Sequence, residues 1–341
     1  MTPRLSVLDQ SPIISGHSPR EAIEATIELA RAADRLGYTR YWLAEHHNMK
    51  GLADPCPEIL LTRIGADTSR IRIGTGGVLL PYYPPLKVAE IFRMHEALFP
   101  GRVDLGIGRA PGGDMLTAKA ISPRAFSELD TFPQQVMELV AWLDDCLPEE
   151  HPFQRVRAMP AGDSSPEVWL LGSSDYSGSL ASYLGLRFAF AHFISAHGGD
   201  AVSHAYREDF RPSHREPAPY SMVCLLAICA ETDAEAERLA ASIDHRRLLM
   251  ATGRDAPVAT TEEALAYPYS EQDREIIHRE RSRAVIGSPE RVKARLLEIQ
   301  QAFGADELMV ITITGDYASR LRSYELLAGA FALETAGGTA A

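Results

Sequence analysis

A chain of 341 residues with 45% hydrophobic and 23% charged content describes a soluble globular protein able to bury a large core. A formal charge of −12 and a pI near 5.4 argue against a nucleic-acid partner, and no apolar stretch approaches the roughly 20 residues of a membrane span. Met1 to Asp9 carries no basic and apolar signal segment, which places the chain in the cytoplasm, and Cys56, Cys146, Cys224 and Cys229 lack CxxC spacing and read as reduced core thiols.

The first strand-like run is Leu5 to Leu8. Ser18, Pro19 and Glu21 then supply an N-cap, a first-turn proline and a capping box, and Gly37 supplies a stop. Between them Ile23, Ile27, Ala30 and Ala33 recur at helical spacing. Tyr41 to Leu43 is the second strand and runs into Glu45-His46-His47. Further strands are expected at Ile71 to Leu80, Val103 to Ile107, Val168 to Leu171, Arg187 to Phe193, Ser221 to Cys229 and Glu307 to Ile313, which makes eight. Cys224 and Cys229, five apart on one run, point to opposite faces and cannot share a metal. Ser288-Pro289 and Gly304 repeat the start and stop signals around Val292, Leu296, Ile299 and Phe303, and a last helix is expected near Tyr317 to Ala332.

Eight alternations of strand and helix predict a (β/α)8 TIM barrel. An open doubly wound sheet usually carries an early phosphate-binding turn, and none follows Leu5 to Leu8. One domain is expected over residues 1–333, with loop insertions at about 148–166 and 251–283, the second placed to act as a lid or a solvated excursion. Residues 334–341 read as a disordered tail.

Barrel enzymes build sites beyond the C-terminal ends of their strands. At those ends stand Glu45, His46 and His47, then Thr75-Gly76-Gly77, then Gly108 to Gly113 around Arg109, then Gly172, Ser173, Ser174, Asp175, Tyr176 and Ser177. Arg109 offers a planar fork between glycines, and the Gly172 to Ser177 turn offers hydroxyls and N–H groups at a helix start, which together read as a phosphate clamp. Gly106-x-Gly108-x-x-x-Gly112 is not the GxGxxG dinucleotide signature. Of the adjacent histidines only one can face the barrel axis in strand geometry, and His192 is the one other histidine expected in a strand. No metal site is therefore expected, and a neutral imidazole working as acid or base fits better.

Taken in order, Leu8-Asp9-Gln10-Ser11-Pro12, Ala44-Glu45-His46-His47-Asn48, Ile73-Gly74-Thr75-Gly76-Gly77-Val78, the run from Phe99 to Gly112, Leu171-Gly172-Ser173-Ser174, Gly287-Ser288-Pro289 and Ala305-Asp306-Glu307-Leu308 resemble the luciferase-like flavin-dependent monooxygenases. The resemblance spans nearly the whole chain. It implies a bacterial-luciferase-like barrel that binds reduced FMN supplied by a separate NAD(P)H-dependent flavin reductase and uses O2 as co-substrate. It also implies a homodimer packed through Pro57 to Asp67 and Pro85 to Leu98. By position it makes His46 the catalytic histidine and Arg109 the phosphate-gripping arginine. Gly172, Ser173, Ser174 and Tyr176 fall in its phosphate-binding turn, and Gly76-Gly77 at a non-proline cis peptide beneath the flavin.

Gly108 stands where bacterial luciferase has a reactive cysteine, which counts against light emission. Tyr176 stands where luciferase has a small hydroxyl residue. The implied chemistry runs through a flavin C4a-(hydro)peroxide, with His46 controlling protonation, and hydroxylates an organic substrate. An aromatic polyketide or other natural-product intermediate is a candidate, beside a long-chain aldehyde or alkane-like compound and a sulfur compound. A deazaflavin-dependent (F420) oxidoreductase is the alternative enzyme. A non-catalytic flavin-binding scaffold subunit is the alternative of another class, and retention of both His46 and Arg109 argues against it.

Overall fold

The structure, a computed structural model, describes residues 4–123, 125 and 131–334. The tail expected at 334–341 lies, from 335 on, outside the described residues. Among the described residues there are nine strands, all parallel: β1 (Arg4–Asp9), β2 (Arg40–Leu43), β3 (Arg72–Leu79), β4 (Val103–Gly108), β5 (Glu167–Gly172), β6 (Arg187–Ala191), β7 (Ser221–Cys229), β8 (Ala284–Gly287) and β9 (Glu307–Ile311). β1 to β7 pair in sequence, β7 pairs with β9, and β9 returns to β1, so eight strands close a parallel barrel. β8 is the strand beyond the expected eight. It pairs along Leu226 to Cys229 of β7, past the Ser221 to Cys224 segment that pairs with β6.

Twelve helices surround the strands: α1 (Pro19–Leu36), α2 (Pro57–Asp67), α3 (Pro85–Leu98), α4 (Met115–Ile121), α5 (Phe132–Leu143), α6 (Asp175–Leu184), α7 (Gly199–Glu208), α8 (Asp233–Ala251), α9 (Thr261–Ala266), α10 (Glu271–Glu280), α11 (Pro289–Phe303) and α12 (Tyr317–Phe331) among the described residues. α1 forms the expected capping box and ends with Gly37 at φ 87°. At α11 the Ser288 side chain makes no cap bond; its N–H donates instead to Asp233 Oδ1 at 2.7 Å. No helix among the described residues is long and apolar enough to cross a membrane.

Three expectations are corrected. The 251–283 segment is not structureless: α9 and α10 occupy much of it, each begun by a capping box, Thr260 with Glu263 and Ser270 with Asp273. Cys146 is exposed and Cys56 half-buried, so only Cys224 and Cys229 are core thiols. His192 lies one residue past β6 rather than in it. Cys224 packs with the barrel interior beside Trp42 and Met309, and Cys229 with the outer layer beside Val285, as the strand period requires. Ala236, Leu239, Ala240 and Ile243 of α8 join the interior cluster, which also holds Leu8 and Trp42.

The N-terminal end of the barrel is closed by charge. Arg40, at the start of β2, reaches Asp104 of β4 at 2.9 Å, Glu167 of β5 at 2.8 Å and Glu307 of β9 at 3.0 Å. Arg72 reaches Asp104 at 2.6 Å, and Trp42 Nε1 donates to the same carboxylate at 2.9 Å. Removing one member of such a buried set leaves uncompensated charge and costs about 3–5 kcal/mol. Arg40→Met is therefore expected to lower the urea-unfolding free energy by about 3 kcal/mol, and an unchanged denaturation midpoint would contradict this account of the barrel floor.

Candidate active site

A cavity of about 560 Å³ opens at the C-terminal ends of the strands, and all eight residues singled out from the sequence line it: His46, Gly76, Gly77, Arg109, Gly172, Ser173, Ser174 and Tyr176. Leu8, Trp42, Leu79, Leu171, Cys224 and Met309 supply apolar wall. Phe132 and Gln135 of α5, and Phe193 and Ile194 after β6, complete it. No motif marked these four. Their approach depends on packing between distant segments, which local spacing does not encode.

Glu45 and His47 are adjacent to the site by sequence, and the structure gives them a positioning task. The buried Glu45 carboxylate accepts from the Leu79 N–H at 2.9 Å and the Tyr83 hydroxyl at 2.6 Å, and pairs with His47 Nε2 at 2.7 Å. The His47 N–H donates to the Gly112 carbonyl at 2.8 Å, and its ring meets Tyr82 edge-on at 5.6 Å. This latch binds the loop after β2 to the end of β3 and the loop after β4. Gly112 is required there: its φ is +59°, and a Cβ would lie 2.3 Å from Leu79 Cδ1 and 3.0 Å from the Glu45 carbonyl.

With His47 turned toward Glu45, His46 is left on the cavity wall. Its Nδ1 is buried and has no hydrogen-bond partner among the described residues. Burial, then the positive charge of Arg246, push its pKa down to about 4, against the nearby Ala44 backbone, which acts the other way. The imidazole is therefore neutral near pH 7. The Gly76-Gly77 peptide beside it is cis. A Cβ at Gly77 would lie 2.7 Å from the Gly106 carbonyl, so β3 and β4 approach closely where their register shifts.

Across the cavity, the Arg109 guanidinium lies 4.0 Å from the centroid of the Tyr176 ring and forms no ion pair among the described residues. Ser174 N-caps α6 without a side-chain bond to its first turn. A helix start with open hydroxyls beside an arginine suits an anion. Arg109, Ser173 and Ser174 fit a phosphate, the apolar walls fit a planar ring, and the neutral His46 lies on the same wall. Among the described residues no group of three or more His, Cys, Asp or Glu side chains is arranged to hold a metal. His192 is not in this cavity: its ring packs 5.9 Å from Phe303 of α11.

The family model of luciferase-like monooxygenases matches residues 4–307. The Bacillus subtilis (strain 168) protein YceB is 43% identical over 327 residues, covering 96% of this chain and 99% of that protein. A luciferase-like monooxygenase of Escherichia coli K12 is 39% identical over 321 residues, covering 94% of this chain and 95% of its own. The crystal structure of apo-MsnO8 superposes with a TM-score of 0.90 at 40% identity and 98% coverage of each chain.

His46 makes a pH-dependent contribution to stability whose sign follows from its lowered pKa. The unfolded chain takes up its proton near the ordinary histidine value of 6.5, the folded chain only near 4, so this contribution is complete above pH 6.5 and is lost as pH falls toward 4. Wild type is expected to lose on the order of 2 kcal/mol more than His46→Gln between pH 6.5 and 4.5 in urea denaturation. Parallel stability curves for the two proteins would contradict the buried neutral imidazole.

Proposed function

The chain belongs to the luciferase-like monooxygenase family, and on that premise we propose that it uses reduced FMN and O2 to hydroxylate a small organic substrate. The observation that carries this reading is the convergence, in one cavity, of an arginine with a helix start, an apolar slot and a neutral imidazole. Arg109 and the α6 start, with Ser173 and Ser174, would hold the phosphate. Gly76 and Gly77 would bring bare backbone against the ring, since any Cβ there has no room.

Reduced flavin, when bound, supplies the electrons that activate dioxygen. The chain's own part is to orient the ring, exclude water with Leu8, Trp42, Leu171 and Met309, and accept or release a proton at the His46 imidazole. The aromatic residues Phe132 and Phe193 in the same wall support an aromatic substrate, with an aromatic polyketide or other natural-product intermediate as the class proposed. Reduced FMN would arrive from a transiently docked NAD(P)H-dependent flavin reductase.

We further propose a homodimer through α2 and α3. Ile59, Met94 and Leu98 are exposed apolar residues, and they line a groove of about 910 Å³ between these helices. Glu58, Arg63, Lys87 and Glu90 line it too, as the polar rim of an interface would. Ile59→Glu combined with Met94→Glu is expected to convert a dimer to a monomer in light scattering; a wild type that is monomeric at tens of micromolar, or a variant that stays dimeric, overturns this.

The functional reading is tested by loading the anaerobic protein with reduced FMN and mixing it with oxygenated buffer. Bound flavin is expected to reoxidise in resolved phases distinct from free flavin, and Arg109→Met is expected to weaken FMN tenfold or more while leaving riboflavin unchanged. Reoxidation identical to free flavin, or tighter binding of reduced deazaflavin than of reduced FMN, would replace this reading with the deazaflavin or the scaffold one.

A further inference from the structure

The apolar face of α5 carries one residue that breaks its pattern. Phe132, Val136, Leu139, Trp142 and Leu143 are buried at the spacing of an amphipathic helix. Gln135 stands beside that stripe, between Phe132 and Leu139, at the three- and four-residue offsets that set side chains on one side of a helix. Its Oε1 is buried and has no hydrogen-bond partner among the described residues. The neighbouring Gln134 is exposed and donates to Glu138 at 3.2 Å. A buried, unpaired polar atom costs stability, and an apolar side chain at position 135 would fill the same place without that cost.

Gln135 lines the cavity, together with Phe132 of the same helix and Thr131 at its N-cap. Its Nε2 is not buried with Oε1 and makes no hydrogen bond among the described residues, so the NH2 group is the end left to the cavity. The amide turns about its last torsion at small cost, because that torsion is broad and roughly two-fold, so the same side chain can offer the cavity a donor or an acceptor. The charges of the wall are taken up elsewhere. Glu45 is held by Leu79, Tyr83 and His47, His46 is neutral, and Arg109 lies against Tyr176 at the α6 end. Along α5 and the end of β1 the polar lining is Gln10, Thr131 and Gln135, all uncharged. An ionised group brought there would lose its water without gaining a counter-charge.

We propose that Gln135 selects the substrate: its amide hydrogen-bonds an uncharged hydroxyl on an aromatic ring that lies against Phe132. The inference rests on the reading of this cavity as the site of an oxygenase for an aromatic compound, and adds that the ring carries a neutral hydroxyl. A hydroxyl suits this amide better than a ketone or an ether, because it accepts from the NH2 end and donates to the carbonyl end, whichever the side chain presents. A compound with a methyl group in that place leaves the amide without a partner, and a pocket rejects an isostere chiefly by such an unpaired polar group. An acid arrives with a charge that the α5 wall does not balance.

The test is one of binding and needs no turnover. 1-Naphthol, 1-methylnaphthalene, 1-methoxynaphthalene and 1-naphthoate are titrated calorimetrically at pH 7 into the full-length wild type, Gln135→Met and Gln135→Asn, with and without saturating FMN, and FMN is titrated into the same proteins. Wild type is expected to bind 1-naphthol about fivefold more tightly than each of the other three, the worth of one hydrogen bond between uncharged groups. That preference should vanish in Gln135→Met, which keeps the length of the side chain, and partly return in Gln135→Asn, with FMN affinity unchanged in both. A crystal of wild type grown with 1-naphthol should place the hydroxyl about 3 Å from the Gln135 amide, which keeps the proposal testable should a variant fold poorly. Equal binding of 1-naphthol and 1-methylnaphthalene to wild type overturns it, as does binding of neither or a hydroxyl seated elsewhere in the crystal. Tightest binding of 1-naphthoate, or a naphthol preference that survives Gln135→Met, also overturns it. A Gln135→Met effect confined to FMN overturns it too, by moving Gln135 to the cofactor. Because none of these readouts involves reduced flavin or oxygen, failure here is distinct from failure of the monooxygenase reading.

Discussion

The architecture depends on how Arg40 is neutralised. Its guanidinium sits at the floor of a closed barrel, where one cation is shared by carboxylates from β4, β5 and β9. Such sharing works only in one register, since a shift of a single residue would turn Asp104 or Glu307 to the helix side of its strand. The planar fork suits this task in a way a lysine point charge would not, and the Arg40 guanidinium also lies 4.9 Å from the centroid of the Trp169 ring. Trp42 and Trp169 then pack edge to face at 5.3 Å, and Trp42 is part of the cavity wall above. The charged floor thus supports the surface on which a ligand would rest.

At the opposite end the polar groups are divided by what satisfies them. Asp9 is bound by Arg320 at 2.6 Å and by the Ser11 N–H at 2.7 Å, and Glu45 by three donors, so both buried acids are structural. Of the other polar groups on the cavity wall, Arg109 makes no ion pair among the described residues and the His46 imidazole is neutral. A protein of net charge −12 therefore presents a cavity whose unpaired charge, that of Arg109, is positive. Local fields of that sign draw anions toward a cleft even when the whole surface repels them.

Much of this was legible in the chain, for identifiable reasons. Strand ends are easily located when each strand is a short apolar run, and barrel geometry brings those ends together, so His46, Gly76, Arg109 and the Gly172 to Tyr176 turn could be placed on one face. Ser18 and Glu21 announced a helix because a capping box is a local bond between neighbours. β8 escaped notice because Ala284 to Gly287 is only four residues long and follows the charged stretch Glu280 to Arg283. α9 and α10 escaped because six and ten residues supply too few turns for periodicity, although their caps obeyed the same grammar as α1. Gln135 carried no signal at all, since what makes it notable is a buried Oε1 without a partner among the described residues, and only the packed chain reveals that.

The aromatic residue at position 176 shows how one departure changes the way a grip is built. A small hydroxyl residue would contribute one more hydrogen bond to a phosphate. Tyr176 instead places a ring face against the Arg109 guanidinium at 4.0 Å. Holding a guanidinium over a ring by the ring's electrons spends none of its N–H donors on a side-chain acceptor and so leaves them for a phosphate or carboxylate. It also removes side-chain freedom before any ligand arrives, so less conformational entropy remains to be lost on binding. The helix start of α6 and the hydroxyls of Ser173 and Ser174 line the same cavity and would supply the donors that the tyrosine does not provide. On the proposed reading, position 176 could thus lose the small hydroxyl without losing the clamp, because orientation of the arginine would replace a direct bond.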